Sequence, residues 1–248
     1  MRIAFCLVGI VGYVQKYGGG HPIDPKIAYN YNKKHVFDVN DNVDVFIHSW
    51  STEFRKEILS LYKPKKHIIE EQIDFNQNDV RLNSIKSRWY STKEVINLKN
   101  EYEKENNFEY DFVMLYRFDS AFLKDLNFSN LDNKYFYAPH SSTDNCKPYE
   151  MSDGKNCTCY GRQSINDQWF FSNSKYMNKF ATLYDNWESY GIFNPHSECI
   201  FHIKKVGLGD KVRYIFIGEQ NFDVVRNFVD DCEYKKKKIV TDHIGNRL

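Results

Sequence analysis

Residues 111–120 read D-F-V-M-L-Y-R-F-D-S. Apolar and aromatic side chains run without interruption from Phe112 to Tyr116 and then meet Arg117 and Asp119. A run with no polar residue at alternate positions reads as a strand buried on both faces of a parallel sheet. Ligands of open α/β sheets sit beyond the carboxyl ends of such strands, so Arg117 and Asp119 are expected on an exposed ligand-binding rim. A carboxylate there can offer oxygen to a hard metal ion, and a guanidinium fork can grip phosphate or fix a carboxylate. The plainer alternative is a surface turn in which the two side chains simply pair with each other.

Working outward, residues 2–8 form a second apolar run, followed by a loop with Gly9, Gly12 and Gly18 to Gly20. Asp24 and Pro25 have the chemistry of a helix cap and first turn, predicting a helix over 26–37. Residues 43–48 give another strand, and Ser51 or Thr52 is placed to cap a helix over 53–61. A short strand is expected over 67–70 and a long helix over 84–103, with Arg88 in its first turn. Strands at 134–138 and 212–217, the run D-Q-W-F-F at 167–171 and helices over 174–190 and from Ser197 complete the pattern. Strands and helices alternate through the first half, which predicts right-handed βαβ units and a mostly parallel central sheet flanked by helices in an α/β fold. No linker divides the chain, so one domain is expected over 1–230. A basic C-terminal arm at 231–248, with lysines at 235–238, reads as solvated.

The 248 residues carry a net charge of +1, with basic residues scattered. That argues against nucleic acid as a partner, which needs a concentrated positive face. No stretch approaches the ~18 consecutive apolar residues of a membrane span, and residues 3–8 are too short for a signal peptide, so a cytoplasmic protein is expected. The 19 Phe, 18 Tyr and 4 Trp predict a core and cleft built largely from rings. Cys6 and Cys199 read as buried thiols. Cys146, Cys157 and Cys159, with His140 and Cys232, are either loop thiols or a zinc set, although C-x-C is not the usual C-x2-C spacing.

The loop after the first strand lacks both G-x-G-x-x-G and the Walker spacing, so it suits a base or ribose contact at Gly9 and Ile10 better than a triphosphate grip. His48, closing the second strand, offers an imidazole for the same rim, or a satisfied core histidine. Arg88 in a first turn opposes the helix dipole, which points to a phosphate or buried carboxylate partner; a solvated Arg88 over Trp89 is the alternative. Asp167 precedes W-F-F, where burial forces it to pair or to act as a general base. Glu198, at a helix start, is a second carboxylate of this kind. His196, His202 and His243 are candidate further ligands for a metal at Asp119.

Five segments carry a resemblance: I-A-F-C-L-V-G at 3–9, D-V-F-I-H-S-W-S at 44–51, S-R-W-Y-S-T-K-E-V at 87–95, Y-R-F-D at 116–119 and N-D-Q-W-F-F-S-N-S at 166–174. In this order and spacing they resemble nucleotide-sugar glycosyltransferases of the GT-A type, in particular small enzymes of bacterial capsule and lipopolysaccharide loci and of large DNA viruses. The resemblance implies a single GT-A-like domain, with a nucleotide-sugar-binding half over about 1–120 and an acceptor-side half over about 121–230. It implies a nucleoside-diphosphate sugar as donor, a glycan hydroxyl as acceptor, and a location in the cytoplasm, of the host cell if viral. A divalent cation (Mn2+ or Mg2+) is expected at a D-x-D motif; here Arg117-Phe118-Asp119 stands in its place, leaving Asp119, with His243, as the metal residues. Gly9, Ile10, His48, Arg88, Arg117 and Asp119 are then the donor-site candidates, and Asp167 or Glu198 the catalytic base, with inversion preferred. The segment 141–164 would border the acceptor. The rival readings are a sugar nucleotidyltransferase and a non-catalytic carbohydrate-binding protein.

Overall fold

A computed structural model describes residues 1–13, 21–75, 79–140, 165–218 and 220–228. The C-terminal arm, His243, the cysteines at 146, 157, 159 and 232, and the segment 141–164 lie outside the described residues. The decisive run forms strand β4 (Phe112–Arg117), beside β1 (Ile3–Gly9) and β2 (Val43–Ser49). The remaining strands are β3 (Lys66–Ile69), β5 (Ser120–Phe122), β6 (Phe136–His140), β7 (Trp169–Ser172), β8 (Val212–Ile217) and β9 (Phe222–Val224). The main sheet has seven strands in the order β3-β2-β1-β4-β7-β6-β8. β1 pairs in parallel with β2 and β4, and β3 extends the sheet in parallel from β2. β7 runs antiparallel between β4 and β6, while β6 and β8 are parallel. The fold is thus α/β, with a mostly parallel central sheet flanked by helices, compatible with a Rossmann-like arrangement. β5 and β9 make a separate antiparallel pair.

Alternate residues of β1 enter two different cores, as expected for a strand covered on both sides. Ala4, Cys6 and Val8 pack under the long helix α3 (Val80–Asn106), together with α4 (Ser174–Ala181) and α6 (Pro195–Lys205). Ile3, Phe5 and Leu7 face α2 (Arg55–Tyr62) and a layer of rings. In that layer Tyr137 stacks on Phe171 at 4.7 Å, and Tyr116 stacks on Phe122 at 5.3 Å. Among the described residues much of the aromatic content lies in the core. Cys6 and Cys199 are buried and free, as expected.

Several local expectations need correction. Asp24 caps α1 (Pro25–Asn32) by accepting from Lys26 N at 2.8 Å, but the α-helix widens into a π turn over Lys33–Phe37. Ser51 does not cap the next helix; its hydroxyl accepts from Val11 N at 3.1 Å and ties two loops together. Helix α3 begins at Val80, capped by Asp79, so Arg88 lies two turns inside it rather than in the first turn. The short segment α5 (Leu183–Asn186) interrupts what the sequence reads as one helix from 174. Among the described residues no helix is long and apolar enough to cross a membrane.

Helix α3 is fastened to α4 by a buried amine. Lys99 Nζ donates to Glu103 Oε2 at 2.9 Å, Ser174 Oγ at 2.6 Å and Asn178 Oδ1 at 3.1 Å, and Lys99 is fully buried. Removing one member of a buried ion pair leaves the other charge uncompensated. Lys99→Ala is expected to lower unfolding free energy by about 3–5 kcal/mol in urea titrations, and the paired change Lys99→Met with Glu103→Leu to recover most of it. A loss below about 1 kcal/mol for Lys99→Ala, the level of an exposed ion pair, would contradict this view.

Candidate functional site

Sheet register brings the ends of three strands to one level, with Val8 opposite both His48 and Arg117, and Gly9 opposite Ser49. Chain order reverses between β1 and β4, and crevices for ligands form at such switch points. At this edge the backbone leaves β4 through Phe118, whose N–H donates to Val8 O at 3.2 Å, and turns into β5 at Asp119. The guanidinium of Arg117 grips Asp119 with both prongs, Nε to Oδ1 at 2.8 Å and Nη2 to Oδ2 at 2.6 Å. Its remaining nitrogen donates to Asp167 Oδ1 at 3.2 Å. The turn of Arg117 and Asp119 does pair internally, but it is built into the fold. Asp119 is only 5% exposed, not the exposed rim residue expected.

Three further side chains converge here. Arg226, just after β9, places Nη1 3.5 Å from Asp119 Oδ2; β9 is held in place by Val225 N donating to Asp119 O at 2.7 Å. Arg88 donates from Nη2 to Asp167 O at 2.8 Å and sets Nε 3.9 Å from Asp167 Oδ2. His196, in the first turn of α6, has Nδ1 2.9 Å from Ile165 O and 3.7 Å from Asp167 Oδ1. A ring nitrogen facing a carbonyl carries the proton, so Nε2 of His196 is left as the acceptor. Solvent reaches the cluster at Arg117, Arg226 and His196, whose side chains are 24%, 28% and 48% exposed.

Three guanidiniums against two carboxylates leave a charge of 3 − 2 = +1 before His196 is counted. Burial works against the Arg117 cation, but Asp119 and Asp167 outweigh it and raise its pKa. Burial pushes Asp167 toward the neutral acid, while Arg117, then Arg88 and His196, pull the other way, so its pKa falls below the ordinary value. Arg88 is lowered, because burial exceeds the help it receives from Asp167. Asp167 is a carboxylate held ionised by cations. That makes it a good orienter and a weak proton acceptor.

The first loop closes on this cluster. Gly12 has φ +102, and a Cβ added there would lie 3.0 Å from Asp119 Cβ and 3.2 Å from Ile23 Cδ1. Glycine at this position lets the loop backbone lie directly against Asp119. Gly9 and Ile10, earlier in the same loop, are half-buried, with Gly9 O accepting from Ser49 Oγ at 2.8 Å. His48 is elsewhere in chemical terms: it is fully buried, with Ser91 Oγ 2.9 Å from Nδ1 and Glu70 Oε1 3.2 Å from Nε2. Burial, partly offset by Glu70, lowers its pKa. It is a satisfied core histidine holding α3 to β2. Glu198 is also fully buried and accepts from Trp89 Nε1 at 2.6 Å through Oε2. His202 lies in the core against Tyr190 Oη at 2.7 Å, its pKa pushed down to about 4 by burial. The structure thus brings together Arg88, Arg117, Asp119, Asp167 and His196, and withdraws His48, Glu198 and His202. Sequence reasoning missed Arg226, whose only local signal is the three-residue alternation F-D-V before it.

An implied divalent cation fits these residues poorly. Both oxygens of Asp119 are occupied by guanidinium nitrogens, and among the described residues no group of three His, Cys, Asp or Glu lies close enough to hold an ion. An open hollow of about 560 Å³ lies at the opposite edge of the sheet, by Arg2, Asn42, Asp44 and Phe108. Its charged groups are already used, Asp44 by Lys65 at 3.3 Å and by Tyr110 Oη at 2.8 Å, and Arg2 over the ring of Phe108. The arginine cluster remains the better candidate. Comparison with protein-family models and with curated proteins finds no match to this chain.

Burial raises the pKa of Glu198 to about 7 from an ordinary value of 4.5, despite the hydrogen bond from Trp89. The folded state therefore holds a proton that the unfolded state releases, and stability falls as pH rises through this window. Glu198→Gln is expected to flatten the decline between pH 4.5 and pH 7 and to raise stability at pH 8 by about 3 kcal/mol. Parallel pH-dependent unfolding curves for the two proteins would refute the assignment.

Proposed function

We propose that this chain is a glycosyltransferase of the GT-A type, moving a sugar from a nucleoside-diphosphate donor to a glycan hydroxyl. The observation that carries the proposal is a net-positive cluster of guanidiniums, backed by a glycine loop, at the switch point between β1 and β4. Arginine forks match the geometry of phosphate oxygens and supply charge where the leaving diphosphate becomes more negative. The main chain at Gly9 and Ile10 lies against the nucleoside, and Arg117, Arg226 and Arg88 face the diphosphate.

In a single displacement the acceptor oxygen bonds to the anomeric carbon while the bond to the diphosphate oxygen breaks. The electron pair leaves with the nucleoside diphosphate, and the acceptor proton passes to a base. His196 suits that role better than Asp167, because its side chain is 48% exposed and the imidazole lies 3.7 Å from the Asp167 oxygen that Arg117 holds. Asp167 then orients both groups. Attack from the face opposite the leaving group gives inversion.

The test is release of nucleoside diphosphate from UDP-, GDP- and dTDP-sugars, with and without oligosaccharide acceptors, beside thermal melts with the free diphosphates. One nucleotide is expected to raise the melting temperature, and one sugar donor to be consumed. His196→Ala should keep the nucleotide-induced stabilisation and lose about 10²–10⁴-fold in turnover. Stabilisation without turnover of any sugar donor would favour a non-catalytic binding protein. Absence of both would remove the reading.

A further inference from the structure

We propose that this site binds the diphosphate of its nucleotide through Arg88, Arg117 and Arg226 without a divalent cation, and that Asp119 positions guanidiniums instead of ligating metal. The inference rests on the nucleotide reading above and specifies how that ligand is held.

Geometry carries the first part of the argument. A metal shared by Asp119 and Asp167 would have to lie between them, and the Arg117 guanidinium already fills that place, touching Asp119 at 2.6 and 2.8 Å and Asp167 at 3.2 Å. Arg226 takes a further approach to Asp119 Oδ2. Admitting an ion would mean breaking a two-pronged charge-assisted contact that is itself nearly buried, which is among the stronger polar contacts in proteins. The cluster also already carries a positive charge, so a cation adds repulsion while a diphosphate removes it.

The second part is a set of donors that await acceptors. A guanidinium has five N–H groups, and Arg117 uses three of them on the two carboxylates. Arg226 uses one on Asp119. Arg88 is the decisive case: its side chain is 11% exposed, yet Nε and Nη1 are buried and have no hydrogen-bond partner among the described residues. Buried charged donors left without acceptors are costly and native structures rarely keep them without a reason. Oxygens of a bound diphosphate would satisfy all three residues at once. Carboxylates, not ligand, hold the forks in place beforehand, so the donors are oriented before binding.

The experiment is titration calorimetry of UDP, GDP and dTDP, each in EDTA and each in manganese. For the nucleotide that binds, Kd is expected to agree within about threefold between the two conditions. Arg226→Gln and Arg88→Gln should each weaken binding at least about tenfold, as loss of a charge-assisted contact does. Asp119→Asn is expected to leave the ratio of the two Kd values near one, whatever it does to stability. Binding that appears only with manganese, or that Asp119→Asn converts from manganese-enhanced to manganese-insensitive, would overturn the inference and leave the glycosyltransferase reading standing. Binding of no nucleotide under either condition would overturn both. If Arg88→Gln fails to fold, the EDTA comparison and the half-exposed Arg226 decide the matter without it.

Discussion

The structure at this edge depends on one interaction: a guanidinium at the end of β4 clasped between two nearly buried carboxylates. Arg117 cannot be left as an unpaired charge in this partly buried position, because its desolvation would go uncompensated. Its partners come from separated parts of the chain, Asp119 from the turn into β5 and Asp167 from the residues before β7. The backbone follows the same logic, since Arg117 N donates to Gln168 O at 3.0 Å and Gln168 Oε1 accepts from Ser120 Oγ at 3.1 Å. The antiparallel insertion of β7 beside β4 is thus the topological means by which Asp167 reaches Arg117. Satisfying the charge and ordering the sheet are one event.

A second constraint is steric. The loop after β1 lies against Asp119 only because residue 12 has no side chain and adopts a left-handed φ. Ser51 accepts from Val11 and so pins the same loop from the β2 side. The cluster is therefore enclosed on one flank by backbone that has little freedom to retreat. Such a frame suits the recognition of a ligand by fixed donors better than a site assembled from long, mobile side chains, because less ordering entropy is lost on binding.

Much of this was legible from residues alone, for a definite reason. β1, β2 and β4 are covered on both faces, so their sequences are continuous apolar runs whose meaning does not depend on partners. The warning at Asp167 was equally local: a carboxylate ahead of W-F-F had to pair or to work, and it pairs. What failed was non-local or compensated. The first turn of α3 is polar and hides the true start at Val80, which misplaced Arg88 by two turns. β9 has three residues and exists because β5 is there to receive it, so Arg226 carried no signal. Glu198 looked like an ordinary acidic residue at a helix start, and only the approach of Trp89, 109 positions away, shows it turned into the core.

These placements redistribute the chemistry that the individual residues first implied. A carboxylate that holds two cations in position has little left with which to remove a proton, and one whose oxygens face guanidinium nitrogens has little left for a metal. Asp119 and Asp167 are better understood as the fixed counter-charges that let three arginines coexist within a few ångströms. Without them the mutual repulsion of those cations in a partly desolvated site would drive at least one into solvent. With them the forks stay aligned, retain unspent N–H groups and keep a small positive excess. That excess is what an anion would meet, and the carboxylates fix the directions in which the forks point. His196 approaches the same oxygen of Asp167 that Arg117 holds, at 3.7 Å, while its Nδ1 faces Ile165 O at 2.9 Å. Its side chain is 48% exposed, which leaves the imidazole open to solvent at the rim of the cluster.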